Sequence, residues 1–285
     1  MAGKLWLVAT PIGNLGDISA RALEVLKSAD LIAAEDTRNT IRLLNHFEIK
    51  KPLTSYHEYN KIDKAYELVR EVQAGKNIAV VTDAGMPAIS DPGEDLVRIA
   101  YETGTEVTII PGACASVSAL ALSGLPTRRF AFEAFLPAEK GERAQVLREL
   151  QRETRTIVLY EAPHRLLKTL KELRDCLGED RRVSLVRELT KIHEEVFRTT
   201  LGEAVSLYEA PGGETKIRGE YVVVIEGRSR EETRREETAQ WDGVSVADHV
   251  AMYEAKGMDR KEAMRAAAKD RGVSRRDIYQ ALLEE

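Results

Sequence analysis

The sequence predicts an α/β fold made of two α/β domains followed by a small helical region. Two observations favour the α/β class. Short apolar, β-branched runs alternate with amphipathic helical patterns, and most of these runs stop at a loop that contains glycine or proline. Strands that alternate with helices pair in parallel through right-handed crossovers. The helical region follows from a third observation, three short helical patterns in succession after residue 244.

The first half of the chain alternates strands and helices regularly. Ser19 is a candidate N-cap of its first helix, and Gly75 and Gly104 are natural stops for two later helices. Near Gly124 the regular alternation of strands and helices ends, which predicts a first domain over residues 1–122. Its predicted strands are 5–9, 31–34, 78–81 and 107–110, and its predicted helices are 20–29, 63–74, 94–103 and 116–122.

The second half carries more strand per residue, which predicts a mixed sheet in a second domain over residues 123–228. Its predicted strands are 130–135, 156–160, 182–187, 194–200 and 221–226, and its predicted helices are 141–153 and 165–177.

The third region begins with a segment that has no apolar residue, 228–237. It predicts a linker over 229–241, with an exposed helix as the alternative. Residues 242–285 predict a helix-turn-helix-like unit with Asp259 and Ser274 as candidate N-caps. Its predicted helices are 246–256, 259–270 and 274–283.

Composition excludes several classes of protein. With 43% apolar and 31% charged residues, the chain of 285 residues has the make-up of a globular protein with a substantial core. No apolar run is long enough to span a bilayer, so no membrane contact is expected. The two cysteines, Cys114 and Cys176, imply neither a disulfide framework nor a zinc site and suit the reducing cytoplasm. The net charge of −5 argues against a globally basic nucleic-acid binder but permits a local basic surface.

Loops rich in glycine, proline and charge follow the strands of the first half, where an open α/β sheet binds its ligands. Asp83 places a carboxylate at one strand end, and Gly85 permits positive φ or close approach of a ligand. Glu35, Asp36 and Arg38 form a polar cluster, which is either a phosphate contact or a salt-bridged turn. Neither a GxGxxG nor a GxxxxGK[ST] motif occurs, so an ordinary dinucleotide or P-loop fold is not supported.

Three further residues have both a functional and a structural interpretation. The helix after Pro111-Gly112 offers free N–H groups to an anion, or is simply capped by Ser116. His164 follows a strand and is a general base or a structural residue. Cys114 is expected to be packed rather than reactive. No spacing of His, Cys and Asp resembles a metal site, so no metal is expected.

Seven motifs in order give the chain a family resemblance over about residues 4–227. It resembles the tetrapyrrole-methylase-type (class III) S-adenosylmethionine methyltransferases, and within them the branch that 2′-O-methylates a cytidine in the decoding region of small-subunit (16S) ribosomal RNA. Tetrapyrrole methylases usually carry Gly-Asp-Pro where this chain has Asp83-Ala84-Gly85, which points away from a porphyrinoid substrate. The motifs are TPIGN at 10–14, EDTR at 35–38, TDAGMP at 82–87, IPGA at 110–113, YEAPHR at 160–165, RELTK at 187–191 and GEYVVVI at 219–225.

The resemblance implies a fold, a cofactor and a set of partners. It implies S-adenosylmethionine bound in a cleft between two α/β domains, a homodimer, a cytoplasmic enzyme, and 16S ribosomal RNA within the small ribosomal subunit as the substrate. The cofactor contacts that it implies are Pro11, Asp83, Gly85, Met86, Ala115, Ser116, Tyr160, Leu189 and Glu220.

A ribose 2′-hydroxyl is weakly acidic, so its methylation is helped by a positioned base or by a cation that stabilises the developing alkoxide. The sequence leaves open whether a carboxylate or a lysine has this task. The candidates are Asp36, Arg38, Glu188 and Lys191, with Glu35 as a further carboxylate.

A basic segment supports an RNA substrate. Between Lys256 and Arg276, eight Lys or Arg stand against three acids, a local charge of +5. A solvated helical face is the rival interpretation. A methyltransferase on a tetrapyrrole or another small molecule, and a non-catalytic RNA-binding assembly factor, are the alternative functions. The residues predicted to bind RNA are Lys256, Arg260, Lys261, Arg265, Arg275 and Arg276.

Overall fold

The computed structural model describes residues 2–284, without the side chains of residues 214, 236 and 237. They form two compact units. The α/β body comprises the residues up to Leu150 together with Thr156–Glu226. The C-terminal unit comprises Gln151–Arg155 together with the residues from Gly227 onward. None of the helices within the described residues is long and apolar enough to cross a membrane.

The first sheet of the body is entirely parallel, as the alternation of strands and helices predicts. Its strands have the order β3-β2-β4-β1-β5, so β1 lies between β4 and β5. The strands are β1 (Leu5–Val8), β2 (Leu31–Ala34), β3 (Leu53–Ser55), β4 (Ile78–Val81) and β5 (Val107–Ile110), and the helices are α1 (Ala20–Ser28), α2 (Thr37–His46), α3 (Lys61–Gln73), α4 (Gly93–Glu102) and α5 (Ala115–Leu122).

Helices cover both faces of this sheet because successive side chains of a strand point to opposite faces. Leu5 and Leu7 of β1 pack with the apolar sides of α3 and α4. Val8, on the other face, packs with Leu26 of α1 and Leu44 of α2. Each fully buried Leu or Val contributes about 1.5–3 kcal/mol, so two-sided burial fixes the register of the central strands.

The second sheet is mixed, as expected from the strand-rich second half. β6 pairs with β7 in parallel, and the other neighbours are antiparallel, in the order β6-β7-β10-β8-β9. Helix α5 of the first half packs on this sheet through Ala119 and Leu120, which contact a cluster that includes Val158 and Val224. The elements are β6 (Phe130–Phe135), α6 (Lys140–Leu150), β7 (Thr156–Glu161), α7 (Pro163–Leu177), β8 (Arg182–Arg187), β9 (Glu195–Thr200), α8 (Leu201–Glu209) and β10 (Tyr221–Ile225).

Three elements of the body are absent from the sequence prediction: α2, β3 and α8. The signal for α8 is present in the sequence, because Thr200 and Glu203 form a capping box at its start. Asp36 caps α2, a role that the prediction of a polar loop did not include. The alternative that Ser116 caps α5 is wrong, since the N-cap residue is Cys114 and makes no side-chain cap.

The C-terminal unit is a small helical bundle. Its elements are α9 (Arg230–Ala239), α10 (Val246–Glu254), α11 (Arg260–Asp270) and α12 (Arg275–Glu284). The segment predicted as a linker is therefore largely an exposed helix, with a capping box between Ser229 and Glu232. Asp259 and Ser274 accept hydrogen bonds from the N–H groups of Glu262 and Asp277, which confirms both predicted caps. The predicted domain boundaries stay predictions, and their termini at residues 1 and 285 lie outside the described residues.

The C-terminal unit has its own apolar and polar core. Val250, Met264 and Ile278 are buried together in it. His249 is fully buried and stacks on the ring of Trp241, with the ring centroids 3.6 Å apart. Burial, and then the charge of Arg271, lowers the pKa of His249, so its Nδ1 accepts a hydrogen bond from Arg271 Nε at 3.1 Å.

Candidate active site

A cavity of about 390 Å³ lies between the two sheets of the body, among the predicted loops. Loops that follow β1, β4 and β5 form one side. The carboxyl ends of β6, β7 and β8, the residues after β7 and β8, and the start of β10 form the other. This is the position at which open α/β sheets bind ligands. We call it the donor cavity; its lining residues are Ile12, Ala84, Gly85, Met86, Ile89, Cys114, Ala115, Phe135, Tyr160, Glu161, Ala162, Pro163, Val186, Leu189, Glu220, Tyr221 and Val222.

The loops after β1 and β4 are joined to each other by backbone hydrogen bonds. Thr10 N–H donates to Gly85 O at 2.9 Å, and Gly85 N–H donates to Thr10 O at 3.1 Å. Gly85 has a φ of +85°, and a Cβ there would lie 3.2 Å from Ile12 Cγ2. The positive φ and the close approach both require glycine, so Gly85 shapes this wall of the donor cavity.

Most of the predicted cofactor contacts meet in the donor cavity. Ser116 adjoins it through its backbone. Pro11 and Asp83 instead line a second cavity of about 250 Å³, together with Asn39 and Arg42. The predicted residues that line the donor cavity are Gly85, Met86, Ala115, Tyr160, Leu189 and Glu220.

Asp83 has a structural task that the sequence did not reveal. Its carboxylate accepts hydrogen bonds from Asp36 N–H at 3.1 Å and from Asn39 Nδ2 at 3.2 Å. The neighbouring Thr82 hydroxyl donates to Glu35 at 2.8 Å. Asp83 and Glu35 therefore tie the loop after β4 to the loop after β2.

Tyr160 connects the two halves of the body. Its hydroxyl accepts a hydrogen bond from the Ser116 N–H at 3.2 Å, in the first turn of α5. Phe132 and Phe135 pack against its ring, with centroids 5.0 and 5.7 Å away. Burial raises the pKa of Tyr160, so the phenol stays neutral and keeps one proton to donate to a ligand.

Glu161 is a buried carboxylate at the cavity that the sequence prediction missed. It accepts a hydrogen bond from the Thr169 hydroxyl, and Arg165 Nε lies 3.6 Å from it. The buried Arg143 in turn donates to Thr169 Oγ1 at 2.8 Å. This network fixes Glu161 in place. Glu161 directly follows the predicted strand 156–160 and belongs to the YEAPHR motif, a signal that could have identified it. Phe135 and Tyr221 are the last and first residues of strands and carry no separate signal.

The predicted candidates Glu188 and Lys191 lie together beside the donor cavity. Lys191 Nζ is 2.9 Å from Glu188 Oε1 and 2.9 Å from Glu220 Oε2. Glu188 Oε1 also accepts from the Glu220 N–H at 2.9 Å. Glu188 has a φ of +49°, and Gly219 beside it has a φ of +77°. A Cβ on Gly219 would lie 2.4 Å from Glu188 Cγ, so only glycine permits this approach. We call Glu188, Lys191 and Glu220 the lysine cluster.

The lysine cluster fixes the charge of its members. Burial opposes the charged form of Lys191, but its bonds to Glu188 and Glu220 outweigh this and raise the pKa of Lys191. Burial likewise opposes ionisation of Glu188, but the Glu220 N–H and Lys191 lower the pKa of Glu188. At neutral pH Lys191 is therefore a cation rather than a base, and Glu188 is a carboxylate that is hard to protonate.

Lys191 also lies against the loop that follows β1. A Cβ on Gly13 would be 2.5 Å from Lys191 Cγ and 3.0 Å from Thr190 Oγ1. The glycine of the Thr-Pro-Ile-Gly-Asn motif therefore lets the first-half loop pack on the lysine of the second half. This contact places the ammonium at the junction of the two halves.

Comparison with known proteins assigns the chain to a family. Residues 4–205 match the model of the Tetrapyrrole (Corrin/Porphyrin) Methylases. The chain belongs to this family. It is 47% identical over 282 residues to the Ribosomal RNA small subunit methyltransferase I of Synechocystis sp., covering 99% of this chain and 98% of that protein.

Two further proteins show how far the similarity extends. The Ribosomal RNA small subunit methyltransferase I of Thermotoga maritima is 48% identical over 226 residues, covering 79% of this chain and 99% of that protein. About a fifth of this chain therefore has no counterpart in that relative. The uroporphyrin-III C-methyltransferase of Thermus thermophilus, solved with S-adenosyl homocysteine, shares the fold with a TM-score of 0.55 at 21% identity, covering 79% of this chain and 97% of that chain.

The other two catalytic candidates, Asp36 and Arg38, are paired with each other. Asp36 accepts from Arg38 Nε at 3.0 Å and from Arg38 Nη2 at 2.7 Å. The side-chain bond to Arg38, followed by the Arg38 N–H, lowers the pKa of Asp36 to about 2. Such a carboxylate is a weak base at neutral pH. The salt-bridged turn that the sequence left as an alternative describes this pair well.

The residues predicted to bind RNA all belong to the C-terminal unit, and all six are exposed. Lys256 Nζ lies 5.1 Å from the centroid of the Tyr253 ring, and Arg260 pairs with Glu254 at 3.5 Å. The remaining four have no carboxylate within 4.0 Å in the part of the chain that the structure describes. These cations are therefore available to an anionic partner.

We expect Gly85→Ala to destabilise the protein by about 1–3 kcal/mol, because alanine must adopt a positive φ and also approach Ile12. Gly104→Ala is the matched control, since Gly104 also has a positive φ (+67°) but a Cβ added there would meet no heavy atom within 4 Å. It should cost about 1 kcal/mol. Denaturant unfolding measures both, and equal losses would show that the contact with Ile12 is unimportant.

Proposed function

We propose that the protein 2′-O-methylates a cytidine ribose in the decoding region of small-subunit (16S) ribosomal RNA, with S-adenosylmethionine as the methyl donor. The observation that carries this proposal is identity near one half, over 99% of the chain, to a protein named Ribosomal RNA small subunit methyltransferase I. The basic C-terminal unit favours RNA over the alternative of a small tetrapyrrole. The formed donor cavity favours an enzyme over a non-catalytic assembly factor.

The donor cavity fits S-adenosylmethionine in size and chemistry. Its 390 Å³ lie within the range of small-molecule sites, and its lining is mostly apolar with a few polar groups. When bound, S-adenosylmethionine supplies an electrophilic methyl group on a positively charged sulfur. The proposed contacts are Gly85, Met86, Ala115, Ser116, Tyr160, Leu189 and Glu220, whereas Asp83 holds the surrounding loops in place and Pro11 lines the second cavity.

Lys191 is the proposed catalytic residue that stabilises the developing negative charge on the acceptor oxygen. The O–C bond forms as the C–S bond of the donor breaks, and the hydroxyl proton passes to solvent water. Its raised pKa keeps it protonated, and Glu188 and Glu220 hold its ammonium. Glu188 is then a positioning residue. A fixed cation at this place needs no reorganisation during the reaction, which is how preorganised electrostatic groups lower a barrier. Asp36 and Arg38 keep their structural pairing in this mechanism.

The C-terminal unit is the proposed RNA-binding appendage. Its exposed Lys and Arg side chains would neutralise phosphates, which is the main source of affinity for RNA. The proposed substrate is 16S ribosomal RNA within the small ribosomal subunit, and the proposed location is therefore the cytoplasm.

The protein is also proposed to act as a homodimer. β5 is an edge strand of the first sheet and leaves Ile109 46% exposed. The next helix, α5, leaves Val117 51% and Leu122 39% exposed. Exposed apolar side chains on consecutive elements are typical of an interface between subunits.

We expect Lys191→Met to lower kcat by a factor of about 10² to 10³ with little change in affinity for S-adenosylmethionine, as for loss of one oxyanion-stabilising group. Lys191→Arg should retain part of the rate. Because the pKa of Lys191 is raised above its ordinary 10.5, the wild-type rate should not fall through its deprotonation below about pH 10. Single-turnover methyl transfer to isolated small subunits measures these effects.

Lys64→Met is the control for this experiment, because Lys64 is also largely buried and paired, with Glu67 at 2.6 Å, but lies on α3. It should leave kcat unchanged. An unaltered kcat in Lys191→Met would refute the assigned role, and a protein that transfers no methyl group to small subunits would refute the proposed function.

Deleting residues 229–285 should lower affinity for the RNA and leave binding of S-adenosylmethionine to the body intact. If all six predicted residues contact phosphates, the slope of log K against log salt should flatten by about 4 to 5. Calorimetry with the donor and filter binding of the RNA at several salt concentrations test this. If the truncated protein bound the RNA with the same affinity and the same salt slope as the full-length protein, the appendage would have no role in RNA recognition.

Val117→Glu combined with Leu122→Glu should convert the homodimer to a monomer, because each change would bury an unpaired charge at the interface. Sedimentation velocity should give twice the chain mass for the wild type and for Tyr59→Glu, which alters a side chain that is 97% exposed. A wild-type protein that sediments as a monomer would contradict the proposal.

A further inference from the structure

A groove of about 300 Å³ lies between α11 and α12 in the C-terminal unit. Its base is apolar: Met264 is buried, and Leu282 is half-buried. Tyr279 is 55% exposed and Leu283 is 70% exposed at its edge. Large apolar side chains that stay this open at a formed groove indicate a binding surface rather than a packed core.

The groove is surrounded by positive charge. Arg260 and Lys261 line it from the start of α11. On α12, Arg275 and Arg276 precede Tyr279 by four and three residues, so they lie on the same helix face as its ring. Within residues 2–284, only Arg260 of these four cations has a carboxylate partner, Glu254 at 3.5 Å. The groove thus combines an open aromatic ring with an excess of cations.

This combination selects an occupant that is flat and apolar on one side and anionic on the other. We propose that the groove binds an unpaired nucleotide of the RNA, with its base stacked on Tyr279 and its phosphates contacted by Lys261 and the neighbouring arginines. The inference rests on the proposed function and specifies how the appendage recognises its substrate. Stacking on an aromatic side chain is the usual way in which proteins hold single-stranded RNA.

Two rival occupants fit the groove less well. A duplex keeps its bases stacked inside the helix and offers proteins mainly its phosphates and the 2′-hydroxyls of its minor groove, so the ring of Tyr279 would have no base on which to stack. A protein segment would use the apolar base but would leave Lys261, Arg275 and Arg276 without carboxylate partners unless it were strongly acidic. The stacked nucleotide uses both the ring and the charges.

The test uses the full-length protein and short single-stranded RNAs that contain 2-aminopurine. The wild type should quench the 2-aminopurine fluorescence on binding, because stacking on tyrosine quenches it. Tyr279→Ala should abolish the quenching and weaken binding between about fivefold and about a hundredfold, as for loss of one stacked base. Tyr279→Phe should retain both, since phenylalanine also stacks. Lys261→Ala should flatten the salt slope by about 0.7.

Tyr101→Ala is the matched control, because Tyr101 is 85% exposed but lies on α4 of the body. It should bind and quench like the wild type. The inference is overturned if Tyr279→Ala binds single-stranded RNA as the wild type does, or if Tyr279→Phe loses as much as Tyr279→Ala. The inference would also be overturned if Tyr279→Ala weakened binding of an RNA duplex as much as it weakened binding of a single strand.

Methyl transfer to assembled small subunits separates this inference from the proposed function. Transfer by the wild type with a raised KM for Tyr279→Ala supports both. Transfer with an unchanged KM overturns the inference alone, and no transfer by the wild type overturns the proposed function. If Tyr279→Ala weakens binding to assembled subunits but not to naked RNA, the groove holds a protein, and the stacked nucleotide is excluded.

Discussion

The position of β1 in the middle of the first sheet is the constraint on which the site depends. Because β1 pairs in parallel with both β4 and β5, the loops that follow these three strands leave the same edge side by side. The mutual hydrogen bonds of Thr10 and Gly85 then hold two of the loops together. The third loop leads into α5, which packs on the second sheet and carries the Ser116 N–H to Tyr160. The donor cavity is the space that these connections leave open.

Charge is arranged differently in the two polar clusters of the body. Asp36 and Arg38 neutralise each other, and the carboxylate of Asp36 also caps α2 by accepting a hydrogen bond from the Arg38 N–H. In the lysine cluster one ammonium serves two carboxylates, so the cluster carries a net charge of −1 when all three groups are ionised. Such a charge beside a largely apolar cavity favours a cationic ligand. The same ammonium is held in one position, where it would stabilise the acceptor oxygen as that oxygen becomes negative. Attraction of the ligand and stabilisation of the reacting group thus come from one small constellation.

The sequence predicted the elements that have strong local signals, and it missed what depends on distant residues. Strands such as Ile78–Val81 are continuous apolar runs, and the caps at Ser19 and Asp259 are local patterns. The strand β3 has only three residues and carries no such pattern. The contact of Gly13 with Lys191 joins residues from opposite halves of the chain, so no window of sequence contains it. The family resemblance supplied the set of candidates, and the geometry distinguished those that line the cavity from those that hold its loops.

The central place of β1 also affects how the chain folds during synthesis. Leu5 is made before its neighbours in the sheet, which are Ile78 and Val107. At about 5–20 residues per second, roughly 5 to 20 s pass before both partner strands exist. During that time the apolar strand Leu-Trp-Leu-Val has no sheet in which to bury its side chains. The strand that organises the finished site is therefore the strand of the first sheet that waits longest for its partners during synthesis.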